Sequence, residues 1–163
     1  MNWRRGLGLA LLLALSPYGG PAQSSAPAGT LPSAGPAHCR FMPPAGFPQT
    51  RLNWSGACAQ RLAQGSGALR AYAQGRVVRS FFGTFEAGQP LLGVVEVPDE
   101  GFIAGRFESG QRVDDGERNT LIQAFEAAAQ AARELAAVYR KAGNRGSARY
   151  YEAKAEQLAS QLD

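Results

Sequence analysis

Gly83-Thr84-Phe85-Glu86-Ala87-Gly88-Gln89 is repeated 22 residues later as Gly105-Arg106-Phe107-Glu108-Ser109-Gly110-Gln111, with five of the seven residues identical. A more divergent copy lies upstream at 54–61, where Cys58 takes the place of the Phe and Arg61 the place of the second Gly. Self-similarity of this kind is the signature of a repeat architecture. The centre of the chain is therefore expected to be built from a repeated structural unit.

The region 52–113 around these copies consists of short apolar runs separated by glycine or by Pro98-Asp99. Val77-Val78, Phe81-Phe82 and Val94-Val95 are three of the runs. Short strands with turn residues between them are typical of β-hairpins. One hairpin is marginal in water, whereas several side by side share an apolar face. We therefore predict an antiparallel sheet of repeated hairpins within residues 38–113, with an irregular lead-in before it.

The same residues resemble the MORN repeat over about 52–113. The resemblance is carried by aromatic-x-Gly and Gly-x-Gly punctuation at Trp54, Gly56, Gly65, Gly67, Gly83, Phe85, Gly88, Gly105, Phe107 and Gly110. It implies hairpins stacked into an elongated sheet, with scaffolding, protein–protein contact and, in some members, lipid association as functions. The repeated aromatic side chains are expected to pack in the core rather than to stack on a ligand.

The C-terminal part, 114–163, is predicted to be a helical hairpin. Asp114 or Asp115 would cap a first helix from about Glu117 to Ala142, and Gly143-Asn144 would end it. Apolar residues recur at helical spacing in both helices. They are Leu121, Phe125, Ala128, Ala132, Leu135 and Tyr139, then Ala148, Tyr151, Ala155, Leu158 and Leu162. This segment weakly resembles one tetratricopeptide helix pair. The predicted fold class is therefore α+β: a hairpin-repeat sheet followed by a helical hairpin.

The N-terminus predicts export. Arg4 and Arg5 precede a run of about ten apolar residues, which is typical of a secretory signal peptide and shorter than a membrane span. We predict a signal peptide over 1–22 and a disordered Pro/Ala/Gly/Ser-rich leader over 23–37. The expected location is periplasmic or secreted.

Export changes the charge balance. The whole chain has 17 basic and 13 acidic residues, and loss of Arg4 and Arg5 reduces its formal net charge from +4 to +2 (15 against 13). A nearly neutral exported chain gives no electrostatic reason to bind nucleic acid, and no nucleic-acid partner is expected.

Cys39 and Cys58 are the two cysteines of the chain, and an even pair in an exported protein predicts one disulfide. The alternative is a metal site that also uses His38, although a fourth ligand is not evident. One His and two Cys exclude a zinc finger, a bis-histidine haem site and a Cys₄ cluster. No metal and no cofactor are expected.

Two groups of charged residues could carry chemistry. Arg70, Arg76 and Arg79 could contact anionic headgroups or an acidic partner, if they share one exposed face. Glu86, Glu108, Asp99 and Glu100 could include the two close carboxylates of a glycosidase. A solvated strand face explains the arginines as well. Helix capping explains Asp114, Asp115 and Glu117 better than a cation site does.

The predicted function is therefore that of a non-catalytic, exported scaffold or binding protein. It would act through protein–protein or envelope-surface contacts with a partner that the sequence does not identify. Two alternatives stay open. One is a cell-envelope hydrolase that uses the sheet carboxylates, and the other is an anionic lipid-binding module that uses the three arginines.

Overall fold

The computed structural model describes residues 32–49 and 51–162, so the predicted signal peptide and the first part of the predicted leader lie outside the described residues. Six strands come first: β1 Arg51–Ala59, β2 Leu62–Ala73, β3 Arg76–Glu86, β4 Gln89–Val97, β5 Gly101–Glu108 and β6 Gln111–Val113. Two helices follow: α1 Arg118–Lys141 and α2 Arg145–Ala159, the latter continued by a 3₁₀ turn at Ser160–Leu162. The strands form one antiparallel sheet in chain order, which confirms the predicted α+β class.

Tight two-residue turns explain the sequence repeat. The turn residues have positive φ at both positions, which is the conformation of the hairpin turn that best matches the strand twist. These pairs are Gln60-Arg61, Gln74-Gly75, Ala87-Gly88 and Ser109-Gly110. The copies at 83–89 and 105–111 each supply a strand end, its turn and the next strand's first residue, and the divergent copy at 54–61 supplies a strand end and its turn. Arg61 therefore occupies the turn position that glycine takes in the other copies.

A row of glycines runs across the sheet. Cross-strand pairs join Gly56 to Gly67, Gly67 to Gly83, Gly83 to Gly93, and Gly93 to Gly105. Strand glycines weaken a sheet unless another group covers them. Side chains from other residues are thus expected to pack over the row of glycines.

Aromatic rings provide that cover on one face of the sheet. A Cβ on Gly56 or Gly67 would lie 2.4 Å from a Trp54 ring atom, and one on Gly93 would lie 2.8 Å from the tip of Phe81. Phe85 contacts both rings, with centroid distances of 4.6 Å to Trp54 and 5.4 Å to Phe81. Phe107 completes the layer at 5.5 Å from Phe81. The repeat aromatics therefore share one face and are partly or fully buried in it.

The segment 32–49 forms a strap over the same face. Backbone hydrogen bonds join the strap to the three turns at one end of the sheet: Arg40 N–H donates to the Arg61 carbonyl, Met42 N–H to Gly88 and Ala45 N–H to Gly110. Its Phe41 and Phe47 are buried with the aromatic layer. Residues 32–37 of the predicted leader belong to the strap: Ala34 exchanges two backbone hydrogen bonds with Phe41, and Pro32 lies against Gly88.

The Cys39–Cys58 disulfide confirms the predicted pairing and joins the strap to the end of β1. Cys58 stands at the position that Phe85 and Phe107 occupy in the other two copies. A covalent bond there replaces the buried ring of the other copies as the contact with the strap. The alternative metal site is wrong, since both thiols are in the disulfide and His38 is exposed.

The helical hairpin covers the opposite face. Small side chains on α1 allow it to approach β2–β5 closely, and α2 packs beside α1. The buried α1 residues are Ala124, Ala128, Ala129, Ala131, Ala132, Leu135 and Ala136. Lys154 on α2 donates to the Glu96 carboxylate on β4 at 2.6 Å, with the two side chains 11% and 18% exposed. This shielded ion pair fixes α2 against the sheet.

The helix ends follow the predicted pattern with one correction. Gly143 has φ +76°, and Asn144 N–H donates back to the Tyr139 carbonyl while its side chain accepts from Ser147 N–H. Asn144 therefore ends α1 and caps α2. At the other end, α1 begins at Arg118 with Glu117 as N-cap, not Asp114 or Asp115. Asp115 instead accepts from Glu117 N–H and the Thr120 hydroxyl, and these bonds lower the pKa of its carboxyl.

Two residues of the predicted apolar stripes lie outside the core. Leu121 in the first turn of α1 is 43% exposed, and Leu162 in the 3₁₀ turn after α2 is 37% exposed. The other stripe residues are buried or half-buried.

Adding a methyl group to the glycine row should destabilise the protein. A Cβ on Gly83 would lie 2.2 Å from the Leu92 carbonyl oxygen, and its φ of +153° is unfavourable for other residues. We expect Gly83→Ala to lower the free energy of unfolding by about 2 kcal/mol or more. Gly146→Ala is the control, because a Cβ there meets one atom, at 3.8 Å, and alanine favours a helix. Urea denaturation measures both, and an equal effect of the two changes would contradict the assignment.

Breaking the disulfide should release the strap. We expect the Cys39→Ser, Cys58→Ser double variant to lose about 3 kcal/mol of stability, the value for closing a loop of this size. Alkylation followed by mass measurement should find no free thiol in the unreduced protein and two after reduction. A labelled thiol in the native protein without reductant would show that the strap is not joined to β1.

Candidate functional site

A groove lies between the β1–β2 hairpin and the C-terminal half of α1. It has a volume of about 730 Å³. It exists because α1 packs over β2–β5 and stops short of the edge strand β1. The sheet is therefore wider than its helical cover on this side.

The groove has a polar floor and an apolar wall. The floor is formed by Asn53, Trp54, Ser55, Gly56 and Ala57 of β1 with Gln64, Gly65 and Ser66 of β2. The wall is formed by Glu134, Leu135, Val138 and Tyr139 of α1. Val138 is 61% exposed and projects its apolar side chain at the edge of the groove. A chain with alternating apolar and polar side chains fits such a surface.

Tyr139 of α1 lines the groove, and Tyr151 of α2 lies behind it. Tyr139 stacks on Tyr151 with a centroid distance of 5.4 Å and an interplanar angle of 7°. Tyr151 is buried, and its hydroxyl interacts with the Ser55 side chain on the groove floor. Burial raises the pKa of Tyr151 to about 12, with Arg70 opposing the shift. This contact connects the core of the helical hairpin with the edge strand.

Strand β1 is an edge of the sheet and pairs with β2. Among the described residues, one hydrogen bond involves the backbone of β1 outside its ladder with β2. In it, the Trp54 indole N–H donates to the Ala57 carbonyl at 3.0 Å. An edge of this kind offers unpaired N–H and C=O groups to another chain. The groove and the open edge share strand β1.

The three predicted anion-contact arginines do not share one face. Arg70 lies under α2, with its guanidinium carbon 4.7 Å and 4.8 Å from the ring centres of Tyr150 and Tyr151. Arg79 lies on the strap face near Gly46, and Arg76 is exposed at the β2–β3 turn. Adjacent strand residues point to opposite faces, so the cluster in sequence separates in the fold. The single basic surface that lipid binding through these three residues requires is not formed.

The four predicted carboxylates do not form one site either. Glu86 and Glu108 both border a shallow depression beside Leu91 and Phe107. Asp99 and Glu100 lie at the far end of the nine-residue strand β4, roughly 30 Å away at the rise of a strand. All four are exposed. A two-carboxylate mechanism therefore cannot combine one carboxylate from each of the two pairs.

In the described part of the chain, no group of three His, Cys, Asp or Glu side chains is placed to hold a metal ion. Neither α1 nor α2 has the length and hydrophobicity required to cross a membrane.

The groove residues were not predicted from the sequence. Asn53 and Ser55 alternate with Leu52 and Trp54, which predicts a strand with one polar face but not what lies over it. Val138 stands outside the α1 stripe, but single apolar residues are common on protein surfaces and do not by themselves indicate a contact.

Tyr151 predicts a specific loss of stability at alkaline pH. The tyrosine pKa is about 10 when unfolded and about 12 when folded, so its contribution is fully present below pH 10 and lost as the pH approaches 12. We expect Tyr151→Phe to be less stable by about 1 kcal/mol at neutral pH, through loss of the Ser55 contact. Between pH 10 and 12, urea denaturation should show a smaller further decrease in the variant than in the wild type. Equal slopes would contradict the assignment.

No protein-family description, curated protein or solved structure matches this chain significantly. The MORN and tetratricopeptide resemblances therefore rest on the residues quoted for them, and the groove geometry carries the argument about function.

Proposed function

We propose that this chain is an exported, non-catalytic binding protein that holds a protein partner in the groove between β1 and α1. The observation that carries the proposal is the pairing of the exposed Val138 wall with an open edge strand in one groove. A MORN-like sheet would act as the rigid support, and the helical hairpin would supply the second wall.

The export part of the proposal is supported by two observations. The N-terminal sequence has the organisation of a signal peptide, and the disulfide belongs to a class of bond that persists in oxidising compartments. A periplasmic or secreted location places the partner in the cell envelope or outside the cell.

The packing of both faces favours the groove as the binding site. The strap covers one face of the sheet and the helices cover most of the other. The depression at Glu86 and Glu108 is smaller, at about 450 Å³, and lacks an open strand edge. The groove thus combines area, apolar contact and unpaired backbone in one place.

Site-specific photo-crosslinking in the native host tests the proposal. A photoreactive residue at Val138 should give a discrete adduct with another protein in the envelope or secreted fraction. Leu121 is the matched control, because it is also an exposed apolar residue of α1 but lies outside the groove. Equal adducts at both positions, or none at Val138, would contradict the proposal. Mass spectrometry of the adduct identifies the partner.

A further inference from the structure

We propose that the partner segment is an extended acidic peptide, which adds to the sheet as a further strand along β1 with its side chains in the groove. This inference rests on the proposed binding function and specifies the chemistry of its ligand. Three features of the described residues support it: the open edge, the distribution of charge, and arginines that form no ion pair with a carboxylate.

The first feature is the length of the open edge. The register of β1 against β2 is regular over Arg51–Gly56 and shifts between Gly56 and Ala57, so the regular part of the edge can pair with a peptide of about six residues. Addition of a strand obtains affinity from backbone hydrogen bonds and specificity from alternate side chains. Asn53 and Ser55 face the groove, so alternate side chains of an added strand would face the α1 wall. Val138 and Leu135 would contact its apolar positions.

The second feature is the uneven distribution of charge along the chain. The first acidic residue of the sequence is Glu86, and all 13 acidic residues lie at or after it. The described residues before Glu86 carry six arginines and no lysine: Arg40, Arg51, Arg61, Arg70, Arg76 and Arg79. Because the strands are arranged in chain order, this sequence asymmetry becomes spatial. The β1 side of the sheet is positive.

The third feature is the state of the arginines on the β1–β2 hairpin, which are Arg51, Arg61 and Arg70. Among the described residues, none of the three forms an ion pair with a carboxylate. Arg51 lies over the Tyr72 ring at 5.2 Å, and Arg61 donates through Nε to the Ala37 carbonyl at 3.0 Å. Arg70 is half-buried with no hydrogen-bond partner on its buried Nε.

Arg51 and Arg61 stand at opposite ends of β1 and are both exposed. Carboxylates at the two ends of an added strand would therefore meet one guanidinium each. Glu134 is the acidic side chain of the groove lining, and its carboxylate accepts from the Gln130 amide at 3.0 Å. It lies on the wall and not at the ends of the strand. The arrangement favours an acidic peptide over a basic one.

A second copy of the chain is the competing occupant. Residues 98–117, at the other side of the sheet, hold six acidic and two basic residues. However, Arg106 pairs with Glu108 and Arg112 pairs with Asp114, and β6 has three residues to offer. Part of that negative charge is therefore already neutralised, and the edge is short. A free acidic peptide matches β1 better.

Solution NMR of the purified mature protein tests the inference. The probe is a blocked eight-residue peptide in which Val and Glu alternate, compared with one in which Val and Lys alternate. We expect the Glu peptide to shift the backbone amides of Arg51–Ala57 and the Val138 methyls, and to bind at least about tenfold more tightly than the Lys peptide. Its affinity should fall with added salt. N-methylation of alternate residues on the pairing edge should abolish the shifts.

Charge reversal provides the matched variants. Arg51→Glu with Arg61→Glu should lower the affinity for the Glu peptide by at least about tenfold and raise the affinity for the Lys peptide. The control is Arg145→Glu with Arg149→Glu, which makes the same charge change on the exposed side of α2, away from the groove, and should leave binding unchanged. The gain of Lys-peptide binding shows that the first variant still folds.

Several outcomes would overturn the inference. They are equal binding of the two peptides, absence of shifts in β1, and shifts in β1 that depend on protein concentration without peptide, which would identify a second copy as the occupant. A Val138 adduct together with no peptide binding would reject the acidic strand while leaving the proposed binding function intact. Absence of the Val138 adduct together with absence of peptide binding would reject the acidic strand and the proposed binding function.

Discussion

The packing of the Trp54 and Phe81 rings onto the glycine row is the contact on which the rest of the structure depends. Each ring occupies the space that side chains of Gly56, Gly67, Gly83 or Gly93 would need. Aromatic pairs of this geometry contribute about 0.5–1.5 kcal/mol each beyond their buried area. The resulting layer is thin and flat enough for the strap to lie across it. The central strands β2–β5 are thereby covered on one face by the strap and on the other by the helices.

Covering both faces leaves the periphery of the sheet as the place where function can reside. The helices need β2–β5 for their contacts, and the strap needs the turns. Strand β1 is used by neither over most of its length. Its outer backbone edge and Arg51 are therefore available to another molecule, although the strand is held by the disulfide at one end and by Tyr151 near its centre.

Local features of the fold could be predicted from the sequence, because they depend on neighbouring residues. The hairpin turns follow from the Gly88 and Gly110 copies, and the helix ends follow from Gly143-Asn144. Features that depend on where helices and strands cross could not be predicted from the sequence. Arg70 and Arg79 lie on opposite faces of the sheet because side chains alternate along a strand. Glu117, not Asp115, is the N-cap of α1. The groove depends on where α1 crosses the sheet. No residue pattern encodes these distances directly.

The length of the strap also limits the number of hairpin repeats whose turns it can contact. Arg40, Met42 and Ala45 contact the three turns at one end of the sheet, so the strap advances by two or three residues for each repeat unit of two strands. Two strand spacings amount to about 10 Å, which about three extended residues span. A fourth unit inserted into the sheet would have no strap residue for its turn and no cover for its glycine. The gain or loss of repeats in such a chain would therefore have to be matched by a change of about three residues in the strap.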